Sequence, residues 1–145
     1  MKIKALITVG IIFLSTLGCK NSSAQEKFSE EKVKEMLKNF YTSYIIENST
    51  FPVNQKKRDS IEKKYCTPYV LREYADEPSI EGDPFLRADV MHPSILKILT
   101  FRKDASRDDL YYVSYKLPTE KEPQTIRLLI VKEKDSYKID LVYKD

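Results

Sequence analysis

The chain has no tryptophan, one histidine, two cysteines and only 3 glycines in its 145 residues. So few glycines, together with 7 prolines, exclude collagen-like and low-complexity chains. The phosphate-cradling G-x-x-x-x-G-K, the dinucleotide G-x-G-x-x-G, H-E-x-x-H, G-x-S-x-G and paired C-x-x-C patterns are all absent. Neither sign of charge dominates. Lys plus Arg number 25 and Asp plus Glu 22, and two of the lysines, Lys2 and Lys4, belong to a segment expected to be removed. The remaining near-neutral balance argues against a nucleic-acid partner, which would require a clustered positive field. What is plentiful is apolar and charged side chains, 41% and 32% respectively, enough for one ordinary domain with a solvated surface.

The first residues address the chain. Lys2 and Lys4 precede an apolar run from Ala5 to Gly18. A helix spanning a bilayer needs roughly 20 such residues, so the run is read as the core of a signal peptide, residues 1–18. Ser15-Thr16-Leu17-Gly18-Cys19 resembles the lipobox of bacterial lipoproteins. That resemblance implies lipidation of Cys19 and attachment to a membrane through the lipid, with the outer membrane favoured because Lys20 follows. No spanning helix is needed. Residues 19–27 then form a polar tether and residues 28–145 a folded domain. The alternative is ordinary cleavage after Ala24, which would give a soluble periplasmic or secreted protein. With Cys19 acylated, Cys66 has no disulfide partner and is read as a small packed residue.

Ser29 followed by Glu30 and Glu31 marks a helix start. Val33, Met36, Leu37, Phe40, Tyr41, Tyr44 and Ile45 then fall on one stripe at helical spacing. Phe51-Pro52 reads as extended. Residues 55–65 form a charged surface helix, in which Lys56-Lys57-Arg58 and Lys63-Lys64 make a solvated face, and Thr67-Pro68 opens another short helix. Residues 76–92 should be irregular. From Ser94 onward the period changes to two: Ile95–Phe101, Leu110–Leu117, Thr125–Glu133 and Tyr137–Tyr143 are expected as strands of an antiparallel meander. Tyr137, Ile139, Leu141 and Tyr143 should share its inward face. The expected class is α+β, with N-terminal helices packed on a curved four-stranded antiparallel sheet.

Asp83-Pro84-Phe85-Leu86-Arg87-Ala88-Asp89 and the final hairpin through Tyr137 and Val142 carry a further resemblance. The chain looks like a family of small exported bacterial proteins bearing a domain of unknown function with a nuclear-transport-factor-2-like, or cystatin-like, cone. That likeness implies the fold and leaves the activity open. Candidate ligand or rim residues are Asp83, Phe85, Asp89, His92, Tyr44 and Tyr115. The tyrosines either line a pocket or fill the core. Asp76, Glu77, Glu81, Asp83 and Asp89 read as a solvated acidic loop, with Asp83 capping a turn before Pro84; no metal and no cofactor are expected. Three functions follow. The first is an envelope lipoprotein binding a protein or a small apolar ligand. The second is a periplasmic immunity or inhibitor protein. The third is an isomerase- or dehydratase-like enzyme using Asp89 or His92.

Overall fold

The computed structural model of the chain describes residues 28–75, 82–88 and 91–144. Cys19, Asp89 and most of the acidic loop lie outside the described residues. Helix α1 (Glu30–Asn48) begins where the sequence places it, with the Ser29 side chain accepting from the Lys32 N–H and Glu30 and Glu31 in the first turn. Val33, Leu37, Phe40, Tyr41, Tyr44 and Ile45 are all fully buried on one stripe, while Met36 packs at its margin. Helix α2 (Gln55–Tyr65), capped by Asn54, buries none of its residues completely and lies along α1. Helix α3 (Pro68–Ala75) follows a single break at Cys66 and Thr67.

The sheet consists of β1 (Thr100–Lys103), β2 (Leu110–Tyr115), β3 (Gln124–Glu133) and β4 (Ser136–Val142), antiparallel and in chain order. Its inner face presents Tyr111, Val113 and Tyr115 from β2, and Ile126, Leu128 and Ile130 from β3, against the α1 stripe. Each such side chain contributes roughly 1.5–3 kcal/mol when removed from water, which makes this layer the main source of stability. The α+β class and the four-stranded antiparallel meander are as expected from the sequence.

Two local expectations are corrected. Residues 95–99 do not form a strand: Pro93–Lys97 is a 3-10 turn, η1, opened by Pro93 and capped by the His92 side chain, and β1 starts only at Thr100. A proline at the first helical position with a capping acceptor before it outweighs the β-rich composition that follows. On β4 the inward phase also changes. Leu129 pairs with Leu141 but Ile130 with Ile139, so Asp140 is an extra residue, and Val142 rather than Leu141 is buried beside Tyr137 and Ile139. The bulge is held from outside. Thr67 donates its hydroxyl to the Asp140 carboxylate at 2.7 Å and its N–H to the Ile139 carbonyl at 2.9 Å, which fastens the α2–α3 break to the margin of β4.

Candidate functional site

Among the described residues, the expected rim residues Asp83 and Phe85 belong to a segment packed between α1 and the sheet. Gly82 has φ of +82°, and an added Cβ would stand 3.3 Å from the Ala88 nitrogen. The turn therefore needs glycine there. Asp83 then accepts from the Phe85 and Leu86 N–H groups through Oδ1, at 2.9 and 3.1 Å, and its own N–H donates to the Ala88 carbonyl. This is the cap before Pro84 that the sequence predicts. It points two large apolar residues inward, so Phe85 and Leu86 are buried, with the Phe85 ring edge-on to Phe40, Tyr44 and Tyr74.

Tyrosine hydroxyls clamp the segment from both layers. Tyr41 on α1 donates to the Phe85 carbonyl at 2.9 Å, and Tyr115 on β2 donates to the Leu86 carbonyl at 2.6 Å. Tyr44 on α1 donates to Asp83 Oδ2 at 2.6 Å. Arg58 of α2 reaches the Tyr44 hydroxyl at 3.4 Å while its Nε binds Glu62. At the outer end Arg87 Nη2 donates to the Tyr143 carbonyl. Tyr41, Tyr44 and Tyr115 are all buried. They build the core and turn their hydroxyls onto the backbone and carboxylate of the inserted segment.

The electrostatics agree with a structural role. Burial and the neighbouring Asp83 carboxylate push the Tyr41 and Tyr44 hydroxyls well above their ordinary values, and burial pushes Tyr115 up to about 12. All three stay neutral donors at physiological pH. Burial raises the Asp83 carboxyl, opposed by the Tyr44 hydroxyl and the Phe85 N–H, which favour the carboxylate. Burial likewise pushes the Cys66 thiol up, so it is not held as the reactive thiolate. His92 stands in solvent, where its Nδ1 accepts from the Ser94 N–H and meets the Ser94 hydroxyl. Its position is that of a helix cap.

Two recesses lie among the described residues. One, of about 330 Å³, is a groove between α1, η1 and β1, with Tyr41, Leu96, Leu99 and Phe101 as its apolar floor and Lys38 and Thr42 at its rim. Sequence reasoning missed it because Leu96 and Leu99 were assigned to a strand. A wider depression of about 510 Å³ lies between the N-terminal half of α1, the end of α2 and the β3–β4 hairpin, bordered by Lys32, Met36, Lys64 and Tyr137. Among the described residues no group of three His, Cys, Asp or Glu side chains is placed to hold a metal ion. No helix among them is long and apolar enough to cross a membrane.

No family model and no curated protein matches the chain. Among solved structures it is similar to a crystal structure, at 2.10 Å resolution, of a protein of unknown function from Bacteroides thetaiotaomicron VPI-5482. The two are 22% identical, with a TM-score of 0.69 over 79% of this chain and 91% of that one. At that identity the likeness establishes a shared fold.

Proposed function

We propose that this chain is a non-enzymatic lipoprotein of the cell envelope whose domain binds a protein partner. The observation that carries the reading is the packed segment: Phe85 and Leu86 are buried between α1 and the sheet, and Tyr41 and Tyr115 hold them there. An interior filled in this way favours recognition on the outside over enclosure of a small apolar ligand. The outside offers material for it. Ile46, Tyr69 and Ile98 are large apolar residues left exposed, and the α1–η1–β1 groove adds an apolar floor rimmed by Lys38. Attachment through a lipid on Cys19 rests on the basic start, the short apolar run and the small residues before Cys19. An immunity or inhibitor role is the case in which the partner is a toxin or hydrolase. The isomerase-like alternative draws on Asp89 and His92, and the exposure of His92 weighs against it.

Metabolic labelling with palmitate tests the anchor. Label should enter the wild-type chain and not the Cys19→Ser variant, and equal labelling would overturn that part. Photo-crosslinking from position 99 in whole cells tests the binding face. A discrete adduct that disappears in the Phe101→Asp variant supports it, and crosslinks unchanged by that substitution refute it.

A further inference from the structure

The geometry points to a second contact with the membrane: we propose that the turn between α1 and α2, together with the lysine face of α2, docks on an anionic lipid bilayer. Phe51 is 100% exposed, and Pro52 and Val53 beside it are exposed too. A lone surface leucine or valine is ordinary, but a phenylalanine wholly in water at the tip of a turn has the placement of an interfacial anchor. The helix that follows supplies matching charge. Lys56, Lys57, Ser60, Lys63 and Lys64 are all exposed and fall on one arc at helical spacing. The acids of α2 are engaged elsewhere: Asp59 accepts from Gln55 and Glu62 from Arg58. Lys57 is bound to Glu47 at 2.6 Å, so Lys56, Lys63 and Lys64 carry the outward charge.

The arc also points toward the start of the domain. Lys64 borders the same depression as Lys32 and Met36 from the first turns of α1, near the position where residues 19–27 would join Phe28. Helix α2 is about 16 Å long at its 11 residues, and any nine residues span at most about 30 Å. One bilayer can therefore hold the lipid on Cys19, lie under the lysines and receive Phe51. This geometry rests on the proposed anchoring for its proximity. A convex apolar tip flanked by lysines matches the headgroup region of phosphate-bearing lipids, where apolar insertion and charge attraction act together.

Because the chain has no tryptophan, Phe51→Trp gives a single fluorescent reporter. The full chain carrying it is reconstituted in vesicles of phosphatidylcholine, with or without phosphatidylglycerol. Emission should shift to the blue and resist acrylamide quenching only on the phosphatidylglycerol vesicles, and raised salt should reverse both effects. Each lysine near an anionic surface strengthens association about fivefold, so Lys56/Lys63/Lys64→Gln in the same reporter should lower the docked fraction ratio on the order of 100-fold. Ala105→Trp, on the β1–β2 turn, should remain exposed on both vesicles. Emission from Phe51→Trp that is the same on both compositions and as quenchable as in solution overturns the proposal. Co-sedimentation with phosphatidylcholine vesicles reads the anchor separately, so failure of the tether and failure of the tip give different results.

Discussion

Removing single hydroxyls from buried tyrosines should separate the clamp from the rest of the core, because three of these residues share one core but differ in their hydroxyls' partners. Tyr41 donates to the Phe85 carbonyl and Tyr115 to the Leu86 carbonyl, both without exposure to water. Tyr41→Phe or Tyr115→Phe keeps the ring and leaves a buried carbonyl without its donor, which costs about 1–3 kcal/mol. The Tyr111 hydroxyl is equally buried but has no hydrogen-bond partner among the described residues. Tyr111→Phe therefore removes a desolvated group at no loss of pairing and should be neutral or stabilising. Urea unfolding followed by circular dichroism is the assay. With a urea slope of about 2 kcal/mol per molar, the first two variants should unfold at a midpoint lower by about 0.5–1.5 M, and Tyr111→Phe at or above the wild-type midpoint. Hydrogen exchange gives a local readout, because the Leu86 amide should lose protection in Tyr115→Phe and keep it in Tyr111→Phe. Equal midpoint losses in all three variants would show that the cost of removing a hydroxyl does not depend on its hydrogen bond to the segment, and would refute the reasoning.

Other outcomes follow from the same structure. Phe40, whose ring meets Tyr41, Tyr44, Tyr65 and Phe85, should lose about 3–5 kcal/mol on Phe40→Ala, whereas Phe51→Ala should change stability by less than about 0.5 kcal/mol; comparable losses would contradict the burial. Cys66 should resist iodoacetamide in the native protein at neutral pH and react once guanidinium unfolds it, with rapid native alkylation as the contrary result. Asp104 accepts from the Ser106 hydroxyl, the Ser106 and Arg107 N–H groups and the Tyr112 hydroxyl, which together lower its carboxyl to about 2. Its stabilising effect is therefore complete above the ordinary carboxylate value and is lost as pH falls through about 2. A carboxyl-detected NMR titration should find that low midpoint, and an ordinary one would remove the turn from the stability argument.

The parts of the fold legible in the sequence are those encoded by neighbours. The Ser29 cap, the stripe from Val33 to Ile45, the Thr67-Pro68 break and the Asp83 turn are patterns within a few residues, and each is observed. Relations across the chain were not legible. Nothing in the composition of β4 marks Asp140 as an extra residue; its place depends on Thr67, 73 positions away. The run from Ile95 is as suited to a strand as to a turn, and packing against α1 accompanies the turn. By sequence Tyr44, Tyr115, Asp83 and Phe85 are candidate ligand or rim residues, the tyrosines either lining a pocket or filling the core; Tyr44, Tyr115 and Phe85 are buried. Separating these cases requires knowing that hydroxyls on two layers reach backbone carbonyls 44 and 29 residues distant. The clamp joins helix, strand and loop, and no periodicity records it.

The stitching of Thr67 onto β4 has a consequence for life at high concentration. Open sheets invite a neighbour's strand along their exposed borders, the first step toward fibrils. Here one border is kinked by an additional residue and occupied by the linker between two helices. The opposite border is the four-residue β1, too short to template much growth and ending in Arg102 and Lys103. A protein concentrated on a two-dimensional surface would thus meet its own copies with both margins guarded against runaway assembly.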